Sequence, residues 1–86
     1  MFPSFAEGPS AGRTLGTADR GAVLRVRDVV GDDAVTLRLL EMGLTPGVVC
    51  RVIGRAPLGD PLEIEVRGYR LSIRRAEAAR VAVDPA

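Results

Sequence analysis

From Val48 onward the apolar residues fall on alternate positions in short runs, and Gly or Pro closes most of them. Leu62, Ile64 and Val66 alternate with Glu63, Glu65 and Arg67, and Leu71 and Ile73 alternate with Arg70, Ser72 and Arg74. A period of two sends one set of side chains to a core and the other to water, the signature of half-buried strands. Val48 to Arg55 reads the same way: Arg51 and Arg55 mark the odd face as solvent, so Val48, Cys50, Val52 and Gly54 point inward. Ala22 to Val29 is β-branched and alternating, a first strand, and Val81 to Val83 is a short closing one. With 86 residues there is room for one small domain and one thin core. Five short strands cannot complete a sandwich. The expectation is mostly β: a small closed or half-closed barrel, which also removes exposed sheet edges.

One segment breaks the alternation. After Gly31, either Asp32 or Asp33 is placed to cap a helix, because a short acidic side chain accepts orphan N–H groups of the first turn. Val35, Leu39 and Met42, with Leu40 beside them, form one apolar helical face. Gly43 follows as the residue that ends the helix in a left-handed conformation, and Leu44 is positioned to fold back on the last turn. Thr45-Pro46-Gly47 is a turn. Arg75 to Arg80, rich in Ala, has room for a single helical turn before the last strand. Residues 1–13 carry Gly, Pro and Ser without periodicity and read as a flexible tail, in which Phe2 and Phe5 either dock elsewhere or are part of an untidy terminus; residues 14–86 are the domain.

Parity suggests a register. A two-residue turn at Gly68-Tyr69 pairs Val66 with Leu71, Ile64 with Ile73 and Glu63 with Arg74. A five-residue loop at 57–61 pairs Val52 with Val66 and Arg55 with Glu63. The solvent face then carries an alternating ladder Arg55–Glu63–Arg74 and a like-charged row Arg51–Arg67–Arg70. Such a row is either three guanidinium groups splayed into water or a docking patch for an acidic partner.

Composition removes whole classes of chemistry. There is no His and one Cys, Cys50, so neither a His-activated nucleophile nor a Cys/His zinc site can be assembled in one chain. The expectation is no enzyme, no cofactor and no metal ligand set. Cys50 reads as a small core hydrophobe, and Glu63 and Glu65 as a solvated face with basic or neutral neighbours. Twelve Arg against eleven acidic residues leave a net charge of +1, and three aromatics provide no stacking platform, so nucleic acid is not expected as a partner. No apolar run is long enough to cross a membrane, and the N-terminus lacks the features of a secretory signal.

Three ordered blocks carry a resemblance: Leu40-Glu41-Met42-Gly43-Leu44-Thr45-Pro46-Gly47, then Arg55-Ala56-Pro57-Leu58-Gly59-Asp60-Pro61, then Val66-Arg67-Gly68-Tyr69-Arg70-Leu71-Ser72-Ile73-Arg74. Over roughly residues 14–83 the chain resembles the ferrous iron transport protein A family, with Ile73 where Leu is common and Leu15 to Gly21 fitting the family's start. The resemblance implies an SH3-like barrel of about five strands. It implies a cytoplasmic accessory protein, peripheral at the inner face of the plasma membrane through its partner. That partner is the membrane ferrous iron permease, which carries a cytosolic GTPase domain. The same barrel is appended to some iron-dependent transcriptional repressors, so a stand-alone regulatory domain is the alternative. A homo-oligomer through an open barrel edge stays open. The motif residues have a structural reading: Gly43, Gly47, Gly59 and Gly68 at turns and caps, Pro46, Pro57 and Pro61 stiffening loops, Met42 and Leu44 under the helix, and Ala56 and Tyr69 within the blocks. The functional reading makes the loop with Leu58, Gly59 and Asp60, together with the helix end, a partner-binding rim, beside the Arg51, Arg67 and Arg70 patch.

Overall fold

Two glycine-centred turns and two bulges determine how the strands meet. The computed structural model describes residues 13–86; Phe2, Phe5 and the rest of the expected tail up to residue 12 lie outside the described residues. A 3-10 turn, Leu15–Thr17, precedes β1 (Val23–Val29), α1 (Ala34–Glu41), β2 (Val49–Arg55), β3 (Leu62–Val66), β4 (Tyr69–Ile73), α2 (Arg75–Ala78) and β5 (Val81–Pro85). The five strands form one antiparallel sheet in the order β4-β3-β2-β1-β5. Side chains from all five strands share a single buried cluster, so the sheet curls around one core. No ladder joins β4 to β5 among the described residues; α2 carries the chain from one edge strand to the other. The result is the half-closed barrel expected, with one helix after the first strand and a short one before the last. Arg13, expected in the tail, belongs to the fold: its carbonyl accepts from the Val83 N–H at 3.1 Å, and Thr14 pairs with Ala82.

The inward set is the one that alternation predicts. Leu24, Val26, Cys50, Val52, Leu62, Ile64, Val66 and Ile73 are buried. Val29 has the opposite parity to Leu24 and Val26 yet is buried too, because the β1–β5 register shifts between Val26 and Asp28.

The predicted register is wrong on both sides of β3, and each error has a local cause. The turn between β3 and β4 is Arg67-Gly68, not Gly68-Tyr69. Val66 pairs with Tyr69, Ile64 with Leu71, Leu62 with Ile73 and Glu63 with Ser72. Arg67 has φ 52° and Gly68 φ 84°, so both central residues are left-handed, as a type I′ turn requires. Between β2 and β3, Val52 pairs with Ile64 and Cys50 with Val66; the register then shifts between Val52 and Gly54, so that Arg55 meets Leu62. The loop is therefore 56–61. Both errors preserve inward and outward faces along the inner ladder, which is why parity did not expose them.

α1 ends as its residues predict. Of the two candidate caps the structure selects Asp33, whose carboxylate accepts from the Thr36 N–H at 3.2 Å. At the other end Gly43 (φ 106°) donates to the Leu40 carbonyl at 3.0 Å, and Leu44 to that of Leu39 at 3.2 Å. These two bonds form the Schellman arrangement, and it drives Leu44 into the core with no exposed surface.

Candidate interaction surface

The β2–β3 loop is held from several sides. Ala56 donates its N–H to the Pro61 carbonyl at 3.0 Å, and Gly59 donates to Ala56 at 2.7 Å, with Gly59 at φ 85°. Asp60 turns its carboxylate to the first turn of α2 and accepts from the Arg75 N–H at 3.1 Å. The Asp60–Pro61 peptide is cis. Hence Ala56, Gly59, Asp60 and Pro61 have structural tasks. Leu58 has none: it stands at the tip with 93% of its surface exposed. A large apolar side chain displayed by a hydrogen-bonded loop is already in position to enter a partner's pocket, with little ordering left to do on contact.

The loop and the helix end, expected together as one rim, lie apart. Gly43 lies beside Val66, 4.0 Å from its methyl carbon to where a Cβ would sit. The loop adjoins Leu62, at the other end of β3, about 13 Å away along the strand. Tyr69, opposite Val66, is 70% exposed at the Gly43 end. Met42, the residue that follows α1, is half-buried against the core, and Pro46, Gly47, Pro57 and Gly68 are exposed in their turns.

The corrected register rewrites the charged face. Arg51 faces Glu65, not a second Arg, and its guanidinium reaches the Glu65 carboxylate at 2.7 Å. Glu65 in turn sits opposite Arg70, which also approaches Glu63 at 3.9 Å. The predicted like-charged row is therefore interleaved with carboxylates, and Arg67 has moved into the turn. The predicted Arg55–Glu63–Arg74 ladder is absent as well. Arg55 instead donates to the carbonyls of Gly16 and Ala18 at 3.0 and 2.9 Å, clamping the 3-10 segment to the barrel.

Among the described residues, Asp33 and Cys50 have acidities shifted by clear causes. Asp33 is lowered to about 2, first by the hydrogen bond from Arg80, then by the Thr36 N–H. Burial pushes the Cys50 thiol above its ordinary value, and Cys50 sits 1% exposed in the core as expected. A cleft of about 600 Å³ runs between Arg20, Gly54, Arg55, Pro61 and Glu63 with a single carboxylate on its wall. Among the described residues, no three His, Cys, Asp or Glu side chains converge on one point. No helix among them is long and apolar enough to cross a membrane.

Some exposed apolar residues were not singled out from the sequence. Val30 (58%) precedes α1 and Leu37 (57%) lies within it. Leu37 lies off the Val35–Leu39–Met42 face, so its exposure follows from helical phase and was readable.

Residues 13–85 match the FeoA domain family model. The chain is 36% identical over 70 residues to an Fe(2+) transport protein A/Fe(2+) transporter FeoB fusion protein of Porphyromonas gingivalis; the match takes in 81% of this chain and 8% of that one. The FeoA protein of Chlorobium tepidum superposes with a TM-score of 0.78 at 36% identity, covering 85% of this chain and 70% of that one. The zinc-complexed FeoA of Stenotrophomonas maltophilia, described as an SH3 domain protein, superposes at 0.74 with 33% identity, over 84% and 89%. The manganese regulator SloR shares the fold alone, at 18% identity and a TM-score of 0.74 over 85% of this chain and 34% of its own.

Proposed function

The chain belongs to the FeoA domain family, and from that premise we propose that it is a non-catalytic accessory protein of ferrous iron uptake, acting by contact with the iron permease. The observation that carries this is the Porphyromonas gingivalis relative, in which a matching segment and an Fe(2+) transporter are parts of one fusion protein. Fusion holds two partners at high effective concentration, an arrangement that serves modules working in contact. Because this chain spans only 8% of that relative, iron transport itself falls to the partner. The permease carries the cytosolic GTPase domain that the family resemblance implies. The outer face is consistent with that division: Glu65 pairs with Arg51 at 2.7 Å, and Glu63 lies 3.9 Å from Arg70.

Leu58 is the anchor of that contact. The test is capture of the permease's soluble GTPase domain by the immobilised full chain, with and without GTP. Leu58→Asp should weaken capture roughly tenfold or more, the loss typical of a central apolar anchor. Its thermal midpoint should match the wild type, since Leu58 packs against almost nothing in the free protein. Capture unaffected by Leu58→Asp removes the loop from the contact; no capture by the wild type in either nucleotide state removes the contact itself.

The fold likeness to SloR supports a second reading, a stand-alone regulatory domain of the repressor type. Binding to duplex DNA that weakens steeply with salt would favour it. The net charge of +1 weighs against it.

A further inference from the structure

We propose that the free edge of β4 is a docking site for an extended acidic segment of a partner protein, which adds to the sheet as a sixth strand. The inference rests on the reading above that the chain works by protein contact, and it names a second surface for that contact.

The edge is defined by the turn. Val66 and Tyr69 flank the two-residue Arg67-Gly68 turn, so they form a hydrogen-bonded pair, as do Ile64–Leu71 and Leu62–Ile73. The N–H and C=O groups of Arg70 and Ser72 then point away from β3. β4 is the terminal strand of the sheet, and both residues are exposed. Among the described residues, no backbone hydrogen bond outside the ladders satisfies them. Two donors and two acceptors are thus arrayed at strand spacing, the arrangement that takes up an added strand. Beyond Ser72 the edge opens on a cleft walled by Arg38 of α1 and by Met42, the residue that follows it, and closed by Arg74 and Glu77. Arg38 and Glu77 are ion-paired across it.

Charge selects the occupant. Arg67, Arg70 and Arg74 line this edge, all exposed. Arg67 has no hydrogen bond or ion pair among the described residues, and Arg70 is 3.9 Å from Glu63 with a side chain 66% exposed. A second copy of β4 pairing here would bring two such arginine sets together, so the charges oppose self-association. An extended segment with acidic side chains alternating along it meets the same charges favourably.

The test uses the full chain, isotope-labelled, and a terminally blocked Asp-Val alternating peptide of about eight residues, with its Lys-Val counterpart as control. Saturating Asp-Val peptide should slow amide exchange at Arg70 and Ser72 about tenfold or more, while the Lys-Val peptide leaves both unchanged. The combined variant Arg67→Gln, Arg70→Gln, Arg74→Gln should raise the peptide Kd about tenfold. Ser72→Pro deletes an outward N–H without removing a bond to β3 and should abolish protection; if it fails to fold, the glutamine variant and the amide readout still decide. Absence of protection at Arg70 and Ser72, or equal binding of the Lys-Val peptide, overturns the proposal and leaves the arginines as guards against edge-to-edge aggregation. The permease GTPase domain separates the two readings. Wild-type capture that persists undiminished in the glutamine variant overturns this edge alone. Failure of wild-type capture overturns the transporter reading, and the peptide result then judges the edge separately.

Discussion

At the residue scale, the cost of a side chain depends on what stands where its Cβ would go. Gly31 (φ 119°) and Gly47 (φ 95°) are both left-handed. A Cβ on Gly31 would lie 2.6 Å from the Thr36 hydroxyl, which donates to the Val30 carbonyl at 3.2 Å; a Cβ on Gly47 meets nothing within 4 Å. Gly31→Ala should therefore cost about 2–3 kcal/mol, strain plus a broken cap contact, and Gly47→Ala about 1 kcal/mol from backbone strain alone. Urea denaturation of the two variants checks the difference, and equal losses would refute it. Arg67 shows the converse. Its left-handed φ of 52° costs about 1 kcal/mol, and no residue-type preference announces it. Placing the turn at Gly68-Tyr69 makes glycine its first position; the type I′ turn that forms uses Gly68 as the second.

At the element scale, helix ends were legible because their signals are local. Gly43 and Leu44 close α1 through bonds to residues three and five positions back, so spacing alone reveals them. The cap also senses pH. The Asp33 carboxyl is lowered from 3.8 to about 2 because the folded state favours its charged form, chiefly through Arg80. Its stabilising contribution is thus complete above 3.8 and is lost as pH falls toward about 2. Asp33→Asn should flatten that part of the acid-stability curve, measured as the urea midpoint at successive pH values, while leaving the neutral-pH slope unchanged. A variant curve parallel to the wild type through this range would show that the Arg80 contact is not felt. Arg80 itself was not readable as the partner, since it lies 47 positions away in sequence.

At the scale of the whole molecule, residues 13–18, ahead of β1, are part of the barrel. Leu15 is fully buried, Thr14 pairs with β5, and Arg55 grips Gly16 and Ala18 from across the sheet. Leu15→Ala should cost about 3 kcal/mol by leaving a cavity in the shared core, read as a lower urea midpoint. A loss under about 1 kcal/mol would mean that the segment collapses to fill the space. From the residues alone one can read which side chains face the core, where α1 starts and stops, that the fold is a small barrel of mostly β structure, and which family the blocks resemble. Packing decided the rest: that Arg51 meets Glu65, that Arg55 leaves the charged face to hold the 3-10 segment, and that the Leu58 loop and the Gly43 helix end occupy opposite ends of β3. The physical reason is that alternation repeats every two residues. A strand can slide by two without moving any side chain to the other face, so hydrophobic patterning settles faces, whereas register and charge pairing wait for turns, bulges and contacts between distant segments.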